Sequence, residues 1–191
     1  MTPLEYKDEV VNEIAAALNT VDNELADEIS DAILNAPHIF ISGAGRSLLS
    51  AKGFAMRLVH MGFPAYVLGE IATTDFRPGD LLIIPSGSGE TGVPVLMAQK
   101  AKKLGGKIVL ITITEGSTLG TLADHTLYIR TSTTKIERLK RESDCMITSI
   151  QPMGSLFEQC VLLVLDIIIM KLMKRKKLTS DEMFKKHVNL E

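Results

Sequence analysis

The fold is decided by the stretch LLIIPSGSGETG at residues 81–92, where a short apolar run passes directly into a loop of glycine and hydroxyl side chains. Leu81 to Ile84 carry no polar side chain, which is typical of a strand buried on both faces of a parallel sheet. Glycine lets the backbone turn after the strand, and Pro94 suits the first turn of a helix. The stretch therefore predicts a strand, a loop and a helix in succession.

The same alternation of short apolar runs and helix-spaced segments extends through most of the chain. Strands are predicted at His38–Ile41, Ala65–Leu68, Leu81–Ile84, Ile108–Ile113 and Thr126–Ile129, and helices at 3–35, 47–61, 93–104 and 153–187. This pattern predicts one α/β domain over residues 1–191, with a doubly wound, five-stranded parallel sheet. We expect the terminal helices to pack on this domain or on neighbouring subunits, and the charged stretch 131–149 to form a flap or a short exposed helix. Ligands are expected beyond the carboxyl ends of the strands, at the topological switch point.

Composition excludes several functional classes. The 191 residues are 46% apolar and 23% charged, as in ordinary globular domains, and the net charge of -2 with few aromatic residues argues against a nucleic-acid partner. Cys145 and Cys160 lack the number and spacing of a disulfide framework or a zinc site. The run Val161–Met170 is interrupted by Asp166 and is too short for a membrane span. With no signal-peptide pattern near the N-terminus, we expect a cytoplasmic protein without a membrane partner.

The loop at residues 86–91 has the chemistry of a phosphate site. The hydroxyls of Ser86, Ser88 and Thr91 can donate hydrogen bonds, Gly87 permits close approach of the backbone, and a helix N-terminus favours an anion. The loop has no lysine and no Walker A spacing, which disfavours a nucleoside triphosphate with magnesium. The alternative is a Ser/Gly turn that merely caps the following helix.

A second glycine-containing loop follows the first predicted strand at Gly43–Ser47. It resembles the start of a dinucleotide fingerprint, but Leu48 stands where the third glycine is required, so NAD is a weak alternative. Gly45, Arg46 and Ser47 can instead contact a sugar phosphate, unless Arg46 is only a solvated surface charge.

Glu158 is the candidate base, because it lies among apolar residues at the start of the longest predicted helix. Burial raises the pKa of a carboxyl group and a helix N-terminus lowers it, so the sequence leaves the direction open. A structural salt bridge is the alternative role. Glu90 is the rival base, although its charge would oppose a phosphate in the same loop. His187 by itself has the context of a surface residue in a polar tail.

Four segments carry a resemblance to a known family: Gly43–Ser47, Ser86–Thr91, GSLFEQ at 154–159 and KHVNLE at 186–191. Together they resemble the sugar isomerase (SIS) domain family over nearly the whole chain. The serine loop is shared across the family. The last two segments resemble the branch that interconverts D-arabino-hex-3-ulose 6-phosphate and fructose 6-phosphate in the ribulose monophosphate pathway.

The resemblance implies a flavodoxin-like sheet, a tetramer, a sugar-phosphate substrate, and neither a cofactor nor a metal. It implies Glu158 as the base and brings His187 into a neighbouring subunit's site. The substrate-binding residues that it implies are Gly45, Arg46, Ser47, Ser86, Gly87, Ser88 and Thr91.

Two other functions stay open at this level. Sugar-phosphate-binding domains of this family also occur in transcription regulators, although the residues before the first strand show no basic recognition helix. An isomerase of the same family with a different sugar phosphate is the second alternative, because specificity depends on a few pocket contacts.

Overall fold

A five-stranded parallel sheet forms the centre of the protein in the computed structural model, which describes residues 4–132 and 146–189. The strands are β1 (Ile39–Ile41), β2 (Ala65–Val67), β3 (Leu81–Pro85), β4 (Lys107–Thr112) and β5 (His125–Tyr128). Their spatial order is β2-β1-β3-β4-β5, and every neighbouring pair is parallel. The predicted fold class is confirmed, and the switch point lies between β1 and β3.

Helices cover both faces of this sheet. They are α1 (Lys7–Leu18), α2 (Asn23–Asn35), α3 (Gly45–His60), α4 (Gly92–Lys103), α5 (Thr118–Leu122), α6 (Ser155–Lys176) and α7 (Ser180–Phe184). One face packs against α1, α2, α3 and α6, and the other packs against α4 and α5. Successive strand residues alternate between these two cores, because side chains in a strand point to opposite faces. Ile39 and Ile41, for example, belong to the first core, and Phe40 belongs to the second.

The element bounds differ from the sequence predictions by a few residues. The first helix begins at Lys7 rather than at residue 3, and Leu4 to Tyr6 are not helical. The segment 153–187 contains two helices separated by a break at Lys177, which has a positive φ of 54°. The short helix α5 was not predicted. Most of the stretch 131–149 lies outside the described residues, and its two ends meet in a parallel bridge between Thr131 and Ile147.

The long helix α6 packs along α3 with the same direction, since their first turns meet at Arg46 and Glu158 and their last turns flank one cavity. Its buried side is continuous from Leu156 to Leu172. Its outer side is also apolar: Leu162 is 40% exposed and Met170 is 67% exposed. Among the described residues, no helix is long and apolar enough to cross a membrane.

Glu13 on α1 anchors the chain just before α6. Its carboxylate accepts hydrogen bonds from the Ser149 hydroxyl (2.6 Å), the Ile150 N–H (2.8 Å) and the Gln151 amide (2.9 Å). Partial burial raises the pKa of Glu13, but these three hydrogen bonds outweigh burial and hold its pKa below the ordinary value. The stabilisation is therefore present above the pKa of the unfolded chain and is lost as the pH falls through the lower, folded-state pKa.

We predict that Glu13→Gln lowers the free energy of unfolding by about 1 kcal/mol at neutral pH, because the amide replaces a charged acceptor by a neutral one. The difference from the wild type should shrink as the pH falls and Glu13 becomes protonated. Urea unfolding followed by circular dichroism at several pH values measures both effects. Glu9→Gln, an exposed change on the same helix, is the control. A difference that persists unchanged into acid would contradict the role of the Glu13 charge.

Candidate functional site

The serine loop follows β3 at the switch point and leads directly into α4. Ser86 is buried at 5% exposure, and its N–H donates to Ile111 O on β4 (2.9 Å). The hydroxyls of Ser86 and Thr91 lie 3.4 Å apart. Thr91 is the N-cap residue of α4, but its side chain makes no capping hydrogen bond. The Thr91 hydroxyl therefore does not cap the helix in this structure, which is compatible with the predicted anion site.

Neighbouring segments hold the loop in one conformation. Gly89 has a φ of 65°, and a Cβ at this position would lie 2.1 Å from the Ser117 hydroxyl, so only glycine fits. A Cβ on Gly87 would meet Ile113 and Phe157 at 3.4 Å. The Thr114 hydroxyl donates to Gly87 O (3.0 Å). Because Phe157 belongs to α6, the loop is in contact with the helix that carries Glu158.

Glu90, the rival candidate for the base, is engaged in a structural hydrogen bond. The Thr118 N–H donates to Glu90 Oε1 (2.6 Å), so this carboxylate caps the start of α5. The hydrogen bond from the Thr118 backbone, and then one from its side chain, lower the pKa of Glu90. Ser88 Oγ in turn accepts the Glu90 N–H (3.2 Å). Glu90 thus supports the loop, and the catalytic role of either carboxylate stays a prediction.

The β1–α3 loop lies beside the serine loop. A Cβ on Gly43 would be 3.5 Å from Pro85 O at the end of β3, which shows how closely the two strand ends approach. Helix α3 begins at Gly45, with a φ of 56°, and Arg46 and Ser47 form its first turn. The predicted sugar-contacting residues and the predicted phosphate loop therefore lie side by side at the switch point.

Glu158 reaches this place from the first turn of α6. Arg46 Nε donates to Glu158 Oε2 (2.5 Å), and the Ser50 hydroxyl donates to the Glu158 backbone carbonyl (3.0 Å). The Glu158 side chain is 19% exposed, whereas that of Arg46 is 64% exposed. The carboxylate of Glu158, the candidate base, is thus largely enclosed, whereas its cationic partner Arg46 is mostly exposed.

An open groove of ≈ 330 Å³ runs past this ion pair. Its lining residues are Arg46, Leu49, Ser50, Glu158, Gln159 and Leu162. Gln159 Oε1 is buried without a hydrogen-bond partner among the described residues. Ser50 and Gln159 were missed by sequence reasoning. The only available signal was the spacing of Ser50 four residues after Arg46, which places both on one face of α3.

His187 does not join this group within the same chain. It lies in a second cavity of ≈ 360 Å³, with Arg57, His60, Ile169, Met173, Ser180, Met183 and Phe184. Arg46 and His60 are 14 residues apart on α3, which at 1.5 Å per residue separates the two ends by about 21 Å. Within residues 4–132 and 146–189, no three histidine, cysteine, aspartate or glutamate side chains cluster as a metal site would require.

Comparisons with known proteins identify the family of this chain. The model of the SIS domain family matches residues 32–163, and the chain belongs to this family. A 3-hexulose-6-phosphate isomerase from Bacillus subtilis is 48% identical over 191 residues and covers 100% of both chains. One from Methylomonas aminofaciens is 36% identical over 186 residues, 97% of this chain and 98% of the relative. The predicted resemblance to this family, and to its hexulose-phosphate branch, is confirmed.

A solved structure gives the same result. A Methanococcus jannaschii protein, whose crystal structure led to an inferred function of 3-hexulose-6-phosphate isomerase, is 36% identical to this chain. It superimposes with a TM-score of 0.81 over 98% of this chain and 100% of its own. The two proteins therefore share the same fold over nearly their whole length.

We predict that replacing both Ser86 and Ser88 by alanine raises KM for the phosphorylated sugar at least about tenfold, because two hydrogen bonds to a charged group are lost. Steady-state kinetics with a matched Thr121→Ala control measures the effect. Thr121 serves as the control because its hydroxyl donates within α5, to Thr118 O. A KM equal to that of the wild type would mean that the two serines only form the turn and do not bind the phosphate.

Proposed function

We propose that this chain is a sugar-phosphate isomerase that interconverts D-arabino-hex-3-ulose 6-phosphate and fructose 6-phosphate through an enediolate. The observation that carries the proposal is the meeting of three segments at one place: the serine loop, the first turn of α3, and Glu158 on α6. The full-length identity to an isomerase of this specificity supports the substrate. A cytoplasmic location and a tetrameric assembly belong to the same proposal.

The isomerisation requires one acid–base group that moves a carbon-bound proton from C2 to C3. Glu158 removes the proton from C2 of the hexulose, the enediolate forms across C2 and C3, and the same carboxylic acid returns the proton to C3. A positioned base of this kind contributes about 10²- to 10⁴-fold in rate. The short contact with Arg46 keeps the Glu158 carboxylate oriented towards the groove. No cofactor takes part in these steps.

Phosphate binding positions the reacting carbons. Ser86, Ser88 and Thr91 would hold the phosphate at the N-terminus of α4, with the backbone of Gly87 close to it. Ser47 and the backbone at Gly45 would contact the sugar. Arg46 is exposed enough to turn towards the phosphate or an enediolate oxygen when substrate enters. Charge stabilisation of the enediolate is the largest contribution expected from such donors.

A second proton has to move between the oxygens on C2 and C3, and His187 is the proposed carrier. Its Nδ1 lies 3.1 Å from Val188 O. A carbonyl oxygen only accepts, so this contact places the proton on Nδ1 and leaves Nε2 available for the exchange. Since the two cavities are about 21 Å apart along α3, the His187 of one subunit would serve the Glu158 of another.

The surface between the two cavities supports such an assembly. Leu49, Met56 and Val59 on α3 and Leu162 and Met170 on α6 are exposed apolar side chains. A twofold axis perpendicular to these helices would reverse their direction, so that the His187 end of one copy would meet the Glu158 end of the other. Burial of these side chains would provide the association energy.

We predict that the protein converts fructose 6-phosphate to the 3-ulose isomer, which NMR of the equilibrated sugars detects directly. Glu158→Gln should fold, bind substrate and lose turnover by roughly 10²-fold or more, because the amide cannot accept the proton. Glu90→Gln tests the rival base and should keep turnover near that of the wild type. If the protein isomerises only a different sugar phosphate, the proposed substrate is wrong. If it binds sugar phosphates but isomerises none, it is a sensor rather than an enzyme.

We predict that mixed oligomers of Glu158→Gln and His187→Ala regain part of the activity that each variant lacks alone. A hybrid contains sites that receive an intact Glu158 from one chain and an intact His187 from the other. Activity is measured after subunit exchange, which mass spectrometry of isotope-labelled chains verifies. Each variant incubated with itself is the control. Full activity of a monomer, or no recovery despite proven exchange, would contradict catalysis across subunits.

A further inference from the structure

His60 is a buried titratable residue that the proposed mechanism does not use. It is the last residue of α3 and is 5% exposed, which is unusual for a histidine without a carboxylate partner. Two of its neighbours are the guanidinium of Arg57 and the imidazole of His187. Arg57 Nη1 lies 3.4 Å from His60 Nδ1, and the ring centroid of His187 lies 5.2 Å from that of His60.

The imidazole of His187 lies between two rings. His60 contacts it at a tilt of 40°, and Phe184 stacks on it at 5.8 Å with an interplanar angle of 24°. Aromatic rings at these separations attract each other beyond the area that they bury. His187 itself is exposed, so the contacts with these two rings limit the orientations of its side chain.

The charge state of His60 fits this arrangement. Burial, then the charge of His187, then the charge of Arg57, lower the pKa of His60 below the ordinary value, so its ring is neutral at neutral pH. Arginine only donates, so Nδ1 of His60 accepts and Nε2 carries the proton. Two other cations surround the site: Lys186, with Nζ close to Gly62, and Lys176, with Nζ 4.2 Å from the Phe63 ring centroid.

We propose that His60 is a positioning residue for His187: its neutral ring, fixed by the end of α3, holds the imidazole of His187 in one orientation without charge repulsion. The proposal rests on the catalytic role given to His187 above. A neutral ring is required because a second positive charge 5 Å from His187 would oppose its protonation during the proton transfer. Arg57 favours that neutral form.

The test combines kinetics with NMR of the full-length protein. In His60→Ala, kcat should fall by about tenfold while KM for the sugar phosphate changes by less than about twofold, because a misplaced catalytic group affects turnover rather than phosphate binding. His60→Phe keeps an aromatic plane and no charge, so it should recover most of the lost turnover. His125→Ala is the matched control. His125 pairs with Glu28 and begins β5, the edge strand farthest from β2.

¹⁵N spectra of histidine-labelled protein separate the two proposals. The wild type should show one His187 tautomer with the proton on Nδ1, and His60→Ala should show an averaged signal. An unchanged His187 spectrum in His60→Ala overturns the positioning role, whatever the turnover. Full turnover in His187→Ala overturns the catalytic role of His187 but leaves the spectral test valid. If His60→Ala does not fold, thermal unfolding shows it, and a His60→Phe variant with tenfold lower kcat and an averaged signal overturns the proposal.

Discussion

The packing of α6 against α3 and the sheet is the constraint on which the site depends. Nine side chains of α6 are buried, from Leu156 to Leu172. A buried apolar side chain of this size contributes about 1.5 to 3 kcal/mol relative to exposure, whereas an exposed ion pair contributes about 0 to 1 kcal/mol. The ion pair between Arg46 and Glu158 therefore does not place α6. Packing places the helix, and the ion pair only orients a carboxylate that is already there.

Packing of α6 also explains how Glu158 comes to lie beside the serine loop and the first turn of α3. Phe157 faces inward against Gly87, and the next residue, Glu158, consequently faces the groove. A helix that slipped along its axis by one residue would move about 1.5 Å and would rotate this carboxylate away from Arg46. The absence of a side chain on Gly87 permits the contact with Phe157, so this glycine affects the position of Glu158 as well as the shape of the loop.

Much of the frame could be predicted from the sequence. Buried strands such as Leu81–Ile84 are uniformly apolar, and glycines and prolines mark their ends, so the five strands were predicted to within two residues. The helical connections between the strands predicted a parallel sheet. The expectation that ligands bind beyond the carboxyl ends of the strands directed attention to the serine loop. Helix α5 could not be predicted, because TLGTL has no strong helical pattern. It forms where Ser117 and Glu90 accept its first N–H groups. The tether from Glu13 to Ser149 joins residues 136 positions apart, which no local pattern reveals.

The distribution of charge separates the two cavities. At the Glu158 end, the Glu158 carboxylate pairs with the Arg46 guanidinium, and the Glu90 carboxylate accepts the Thr118 N–H. A phosphate at the proposed site would therefore meet hydroxyls and a helix N-terminus, with both nearby carboxylates already hydrogen-bonded. At the His187 end, the lining includes Arg57, His60 and His187 and has no carboxylate among the described residues. The positive charge of Arg57 at this end would stabilise negative charge that develops on an enediolate, while the neutral ring of His60 adds no second charge against protonation of His187. Because α3 holds the two environments about 21 Å apart, one chain does not bring them together, and in the proposed assembly the apolar surface between them would allow a second chain to do so.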